Sequence, residues 1–196
     1  MKIIEKTYKW NGKLAKRGAT NYIILHHRAG NGDVESIHSL HLNQGYTGFG
    51  YQFYIRKDGS IYRGRPIDTV GAHCIGKNSV SVGICFEGNF ENEKMSDAQI
   101  NAGRELVSYL KSIYPKAEVK RHKDLYATAC PGKNFPFEVI KQGTATETKL
   151  TTAKDIIKEL SQRIEIKEFN KAVTALEKAK KEDSSLYWIL YKIVNS

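Results

Sequence analysis

Apolar residues of the first 140 positions follow the period of strands in some segments and of helices in others. The segment NYIILHH (21–27) is β-branched and apolar, which predicts a buried strand. YQFYIRKDGSIYRG (51–64) has two alternating runs around Lys-Asp-Gly, a pattern typical of a β-hairpin. SVSVGICFEG (79–88) predicts a further apolar strand.

Two segments between and after these strands have helical spacing. DVESIHSLHLNQG (33–45) places Ile37, Leu40 and His41 on one face and ends at a glycine. SDAQINAGRELVSYLKSIYP (96–115) begins with a serine and a glutamine in capping-box spacing. Its apolar stripe consists of Leu106, Val107, Leu110 and Ile113. The fold class predicted is α/β, with a central mixed β-sheet flanked by helices.

The pattern changes near residue 143. Residues 143–150 are small, polar and rich in threonine, which predicts a linker after a main domain of residues 1–142. Residues 151–196 have purely helical spacing, enough for three short helices in a small C-terminal module. So few residues fold alone only with difficulty, so we expect the module to pack on the main domain, on a second copy or on a ligand.

Composition adds limits on where the protein acts. No apolar run reaches the roughly 20 residues of a membrane span, and MKIIEKTYKWNGK lacks the apolar stretch of a secretory signal. We therefore expect synthesis in the cytoplasm without a signal peptide. Cys74, Cys85 and Cys130 cannot all pair, and cytoplasmic synthesis favours free thiols.

The chain is basic. Its net charge is +10, and residues 1–149 hold +8 of it. Such a charge favours a polyanionic partner, either nucleic acid or the anionic polymers of a bacterial wall. The chain has no run of five basic residues and no nucleic-acid-binding motif, but charge alone does not choose between these partners.

Three residues form a candidate metal site. His26 ends the first predicted strand, and His122 and Cys130 lie at the two ends of RHKDLYATACPG (121–132). Catalytic zinc uses three nitrogen or sulfur ligands and one open position. The spacing matches no zinc finger, and lone buried histidines and cysteines are more often packing residues, so composition alone leaves both interpretations open.

Four motifs in one order resemble a known family. They are YIILHHRAG, GFGYQFYIRKDGSIYRGR, GAHCIGKNSVSVGICFEGNF and RHKDLYATACPG, from about Tyr22 to Pro136. Together they resemble the type 2 N-acetylmuramoyl-L-alanine amidases, a family that includes phage endolysins, bacterial autolysins and peptidoglycan recognition proteins. The resemblance implies a zinc hydrolase that cuts the amide between N-acetylmuramic acid and the L-alanine of the stem peptide.

The resemblance also implies roles for single residues. His26, His122 and Cys130 match the family's zinc ligands, and zinc lowers the pKa of a coordinated water to about 7. Tyr51 matches the active-site tyrosine, whose hydroxyl would bond the nucleophilic water or the oxyanion. Thr128 stands where some relatives have lysine and others threonine; threonine can hydrogen-bond but carries no positive charge.

Three further residues fall in motifs that border the family's groove. His73, Asn78 and Arg65 are therefore expected to contact the substrate, and His73 is a second candidate for proton handling. Glu87 lies where only certain relatives have a general base, and it is left out of the predicted site.

The remaining histidines and cysteines have simpler interpretations. His27 is predicted to pack on the opposite face of the strand from His26. His41 is predicted to be structural and His38 to lie on the surface. Cys74 and Cys85 are expected to be small core residues.

The sequence thus predicts a zinc amidase that acts as a phage or prophage endolysin. Its expected partners are peptidoglycan and anionic wall polymers, with no nucleic acid, and the C-terminal helices would bind the wall or self-associate. It would reach the wall after release from the cytoplasm by a holin-type route. One rival is a non-catalytic peptidoglycan-binding protein, and another is a basic nucleic-acid-binding protein with a structural zinc.

Overall fold

A six-stranded mixed β-sheet forms the centre of the computed structural model, which describes residues 1–144. The sheet order is β1-β4-β3-β5-β2-β6. All neighbouring pairs are parallel except the β3–β4 hairpin. The strands are β1 (Ile3–Ile4), β2 (Tyr22–His27), β3 (Phe53–Ile55), β4 (Ile61–Arg63), β5 (Ser81–Phe86) and β6 (Glu118–Arg121). The predicted mixed sheet is confirmed.

Helices lie on both faces of this sheet. They are α1 (Val34–Asn43), α2 (Asp97–Ile113) and α3 (Phe137–Lys141), with short 3-10 turns at Asn78–Val80 and His122–Asp124. Within residues 1–144, no helix is long and apolar enough to cross a bilayer. The linker and the three C-terminal helices predicted for residues 143–196 lie almost wholly outside the described residues.

Local hydrogen bonds explain why the hairpin and α2 form where the sequence predicts them. At the hairpin turn, Asp58 Oδ1 accepts a bond from Ser60 N (2.9 Å), and Gly59 adopts a positive φ of 85°. At the start of α2, Ser96 Oγ accepts a bond from Gln99 N (3.2 Å). The Gln99 side chain donates to Ile55 O and Glu87 O instead of completing the capping box, which ties the helix to the sheet.

Side chains of the central strands alternate between two cores. Ile23 and Leu25 of β2 face the larger core, which α2 and α3 cover. His26 therefore lies on the other face, and its register partner on β5 is Cys85. Cys85 belongs to the smaller core beneath α1. This alternation places His26 on the face of the sheet away from α2, and His26 is the second-last residue of β2.

The face that α1 buries differs from the one expected. Val34, Ile37 and His38 are buried, whereas Leu40 is exposed. The prediction of a surface position for His38 is wrong because the N-terminal segment covers it. The ring centroids of Trp10 and His38 are 5.4 Å apart. His38 Nε2 lies within hydrogen-bond distance of Lys9 O, and His38 Nδ1 accepts a hydrogen bond from Phe49 N.

Candidate metal centre

The three predicted ligands meet in space although they come from two distant parts of the chain. One ligand atom each from His26, His122 and Cys130 lies within 4.8 Å of the others. His26 Nδ1 is 3.8 Å from Cys130 Sγ, so this nitrogen is the one that faces the cluster. The separations are those of groups arranged around one ion.

The loop that carries two of the ligands is held by its own backbone. Lys123 N donates to Cys130 O (2.9 Å), which closes the loop at its base. Tyr126 N donates to His122 O (3.0 Å), and Cys130 N donates to Thr128 Oγ1 (3.2 Å). The loop therefore fixes the positions of His122 and Cys130 relative to each other.

The chemistry of the three donors fits a zinc ion. Burial lowers the pKa of His26 well below its usual value, and neighbouring His73 and His122 lower it further. Burial also lowers the pKa of His122. Both imidazoles therefore keep a lone pair at neutral pH. His122 Nε2 is buried without a hydrogen-bond partner among residues 1–144, as expected of a ring prepared for an ion or a water.

The thiol of Cys130 requires a positive partner before it can serve as a ligand. Burial raises the pKa of Cys130 to about 12, and a backbone hydrogen bond at His27 opposes the shift. A thiol must lose its proton to bind a metal, and a divalent ion compensates the resulting charge. A set of two nitrogens and one sulfur is one that zinc accepts with an open fourth position.

An open cleft of about 450 Å³ adjoins the candidate metal centre. Tyr51 lines it, and its ring centroid lies 5.1 Å from that of His26. Burial raises the pKa of Tyr51 well above its usual value, and the neighbouring thiols of Cys85 and Cys130 add to the shift. Its hydroxyl therefore keeps its proton and can donate a hydrogen bond.

The rim of the cleft is partly apolar. Tyr46, Ile75 and Tyr126 line it with exposed side chains, and the Tyr126 ring stacks on His122 with 5.7 Å between centroids. The sequence analysis did not identify these three residues, because an exposed apolar side chain in a loop has no distinctive local pattern. For Tyr126, its position four residues after the candidate ligand His122 was the sequence feature that could have indicated a place beside the metal centre.

His73 lines the cleft and also lies behind the ligand His26. It is 8% exposed, and its Nδ1 is 3.0 Å from His26 Nε2. Burial lowers the pKa of His73 to about 3. Asn78, which also lines the cleft, accepts bonds from His73 N (2.8 Å) and Cys74 N (2.9 Å) and so holds this loop in place.

Arg65 does not border the cleft, and its predicted contact with substrate is wrong. Its side chain is buried, at 4% exposure. Arg65 Nε donates to Phe49 O (2.6 Å) and one terminal nitrogen donates to Val70 O (2.9 Å). The guanidinium thus joins two loops from inside, because the backbone folds over it after β4.

Four other residues have structural partners. Thr128 Oγ1 accepts its bond from Cys130 N, which leaves the hydroxyl proton free to donate. Glu87 accepts hydrogen bonds from Arg56 Nε and from the backbone N–H groups of Gly32 and Lys57. His41 Nδ1 accepts from Gly50 N, and His27 Nδ1 from Phe90 N.

Comparison with known proteins identifies the family of the chain. Residues 16–133, more than half of the chain, match the family model for N-acetylmuramoyl-L-alanine amidase. The amidase LysC from Clostridium intestinale URNW is 44% identical in sequence, with a TM-score of 0.70 over 72% of this chain and 95% of that one. An endolysin of Klebsiella phage KP32 is 36% identical over 61% of this chain and 85% of its own length.

A third relative extends the likeness to animal proteins. Peptidoglycan-recognition protein SC2 of Drosophila melanogaster is 34% identical over 70% of this chain and 84% of its own length. The family match spans all three candidate ligands, Tyr51 and the loop that closes at Cys130. The chain belongs to the N-acetylmuramoyl-L-alanine amidase family.

Proposed function

We propose that this protein is a zinc-dependent peptidoglycan hydrolase that cleaves the amide between N-acetylmuramic acid and the L-alanine of the stem peptide. The observation that carries the proposal is the complete ligand set of His26, His122 and Cys130 beside an open cleft. Family membership supports the same reaction.

The ligand residues would hold one zinc ion at the end of the cleft. That ion would supply Lewis acidity for the attack of water on an unreactive amide. His26 and His122 offer neutral nitrogens, and Cys130 offers the negative charge that favours a divalent cation. The buried strand and the closed loop keep these donors in one arrangement, so little reorganisation is needed.

Two hydroxyl groups would stabilise the reacting carbonyl oxygen. Tyr51 keeps its proton at neutral pH and would donate to this oxygen as its negative charge develops. Thr128, beside Cys130, has a free hydroxyl proton and would act as a second donor. Neither carries a charge, so each depends on position for its effect.

The cleft itself suits a substrate that is part sugar and part peptide. Tyr46, Ile75 and Tyr126 offer apolar surfaces for the faces of sugar rings, while Asn78 adds a polar side chain. The net charge of +8 on residues 1–149 would attract the protein to anionic wall polymers. We do not expect nucleic acid as a partner.

Endolysin relatives support a role in wall lysis. We propose that the protein is a phage or prophage endolysin that acts on the wall after release from the cytoplasm, with the helices of residues 151–196 as a wall-binding or self-associating module. Antibacterial activity against intact or permeabilised cells would follow from the same reaction.

A second function is a binding protein that recognises peptidoglycan without cutting it. The relative named a peptidoglycan-recognition protein favours this alternative, and so does the apolar rim, which would bind a sugar without any ion. The complete ligand set favours hydrolysis, since a pure binding protein has no need of it.

Digestion of purified peptidoglycan separates these functions. We expect the zinc-loaded protein to release new L-alanine amino termini without new reducing sugars, and Cys130→Ser to release none. New reducing ends would indicate a glycosidase and contradict the proposal. Binding to peptidoglycan with no release by the zinc-loaded native protein would establish the second function.

A further inference from the structure

Behind the metal centre, His26 and His73 form a pair of buried imidazoles. His26 Nδ1 faces Cys130, and His26 Nε2 faces His73 Nδ1 at 3.0 Å. One of the two facing nitrogens must carry the proton for a hydrogen bond to form. Which of them carries it decides whether His26 Nδ1 has a lone pair for an ion.

The next groups along the chain of contacts favour one direction for this hydrogen bond. Ser81 Oγ donates to Lys77 O at 2.7 Å, and a carbonyl oxygen can only accept. The Ser81 hydroxyl proton is thereby committed, so its oxygen is left to accept from His73 Nε2, 3.5 Å away. A neutral His73 with its proton on Nε2 has a bare Nδ1, which accepts from His26 Nε2.

The position of the His73 ring is fixed as tightly as its hydrogen bonds. A Cβ atom on Gly71 would lie 2.4 Å from His73 Cδ2, and one on Gly83 would lie 2.6 Å from the same atom. The ring therefore occupies a slot that exists because both residues lack side chains. Asn78 Oδ1 holds the backbone of His73 from a third side.

We propose that His73 is a positioning residue that fixes the tautomer of the ligand His26. In this chain of hydrogen bonds, His26 Nε2 donates to His73 Nδ1, His73 Nε2 donates to Ser81 Oγ, and Ser81 Oγ donates to Lys77 O. His26 Nδ1, which faces the cluster, is left without a proton. Histidine ligands commonly bond a group behind them that sets their tautomer and orientation. Here that group is a second imidazole, itself oriented by a backbone carbonyl.

This inference rests on the metal site of the proposed function, but its first test needs neither metal nor catalysis. Long-range ¹H–¹⁵N NMR of the full, metal-free chain reports which ring nitrogen carries the proton. We expect the His26 proton on Nε2 in the native protein and a mixed population in Ser81→Ala. A native His26 with its proton on Nδ1 would contradict the proposal.

The second test is zinc affinity, measured by competition with a chromophoric chelator. His73→Leu removes the acceptor, and we expect the Kd for zinc to rise about 10–100-fold. His73→Asn places an amide oxygen near the position of Nδ1, and we expect it to restore most of the affinity. A purely space-filling role for His73 predicts the opposite order, because leucine fills the slot better than asparagine.

A matched control removes a buried imidazole elsewhere. His38 Nδ1 also accepts a backbone hydrogen bond, from Phe49 N. The other contacts of its ring are with Lys9 O and Trp10 of the N-terminal segment. We expect His38→Leu to leave the Kd for zinc unchanged even where it lowers the melting temperature. Native-like zinc affinity in a folded His73→Leu would overturn the proposal, and if that variant fails to fold, the tautomers of the native protein and Ser81→Ala decide.

The two proposals fail in different ways. If the native chain binds zinc but cuts no peptidoglycan, the proposed function is wrong and the role of His73 stands. If the native chain cuts peptidoglycan while His73→Leu binds zinc as the native chain does, the role of His73 is wrong and the function stands.

Discussion

Uncharged hydroxyl groups are the candidate catalytic donors of this protein. Tyr51 lies beside His26 in a pocket that raises its pKa, and Thr128 shares a loop with Cys130. A donor that stays neutral and fixed costs little to reorganise when charge develops on the substrate. The effect of each hydroxyl should therefore appear in the rate of reaction and leave metal binding unchanged.

Tyr51→Phe tests this directly. We expect kcat on a muramoyl-peptide substrate to fall by about 10²–10³, as for the loss of one oxyanion donor, while the Kd for zinc stays the same. Tyr54→Phe is the matched control. The hydroxyl of Tyr54 donates to Gly32 O (2.8 Å), and Tyr54 is not among the residues that line the cleft, so this variant should lose about 1 kcal/mol of stability and keep its kcat. Equal losses of kcat in the two variants would refute the role of Tyr51.

The family resemblance predicted the ligands better than it predicted the residues around them. The three ligands and Tyr51 sit in motifs that the family resemblance marks, and the structure brings them together. Arg65 and His38 were misjudged because burial of a polar side chain depends on which distant segment covers it. No local pattern around either residue shows that a loop or the N-terminal segment folds over it.

Strand β5 contributes to the metal centre through a missing side chain. Gly83 opposes the His73 ring, and its φ lies outside the left-handed region, so sterics alone restrict the position. Substitution by alanine should therefore act only through contact with the ring.

Gly83→Ala should displace the His73 ring. We expect a loss of about 1–3 kcal/mol in the free energy of unfolding from overpacking, together with weaker zinc binding. Gly18→Ala is the control, because no atom lies within 4 Å of its added Cβ and its φ is also ordinary. Thermal melts and chelator competition on both variants provide the check. Unchanged zinc affinity in Gly83→Ala would contradict the inference that the space beside Gly83 fixes the position of the His73 ring.

Among the elements, those with a long apolar run, a helix cap or a hairpin turn were predictable, and strands β1 and β6 were not. Strands β2 and β5 have continuous apolar runs, and α2 has a cap and a stripe, so local sequence identifies them. Strand β6 has a single buried residue, Val119, and β1 has two residues in all. Strand β1 pairs with β4, and β6 pairs with β2, because β4 and β2 each offer an edge to a further strand. The local sequence of β1 and β6 has no periodic pattern that predicts this pairing.

The whole molecule carries its basic excess mainly before residue 150. Attraction between this charge and anionic wall polymers is screened over about 10 Å at 0.1 M salt and about 3 Å at 1 M. We expect adsorption to purified walls to weaken steadily with salt. Walls stripped of their anionic polymers serve as the control and should show less adsorption and a flatter salt dependence. Equal adsorption to both would exclude the charge as the cause.

Truncation tests the proposed role of the C-terminal module. Residues 1–144 contain a closed core and the complete candidate metal centre, so a chain ending at residue 144 should keep its zinc affinity. We expect it to bind cell walls less tightly than the full protein at one salt concentration. Equal binding by sedimentation with walls would show that residues 151–196 do not anchor the protein.

The ligands His26 and Cys130 stand 104 positions apart in the chain, one on a central strand and the other on a late loop. An ion bound by both would act as a removable cross-link across most of the described fold. Ligand binding to the native state alone stabilises it by about 2.7 kcal/mol at a free concentration of 100 times Kd.

Chelation should therefore lower the melting temperature, by about 2–4 °C for each kcal/mol lost in a chain of this size. Cys130→Ser should melt at nearly the same temperature with and without added zinc; an undiminished shift in that variant would mean that the cross-link runs elsewhere. If the cross-link is confirmed, the stability of the fold would depend on metal supply. A molecule that lost its ion would become easier to unfold and degrade as well as inactive.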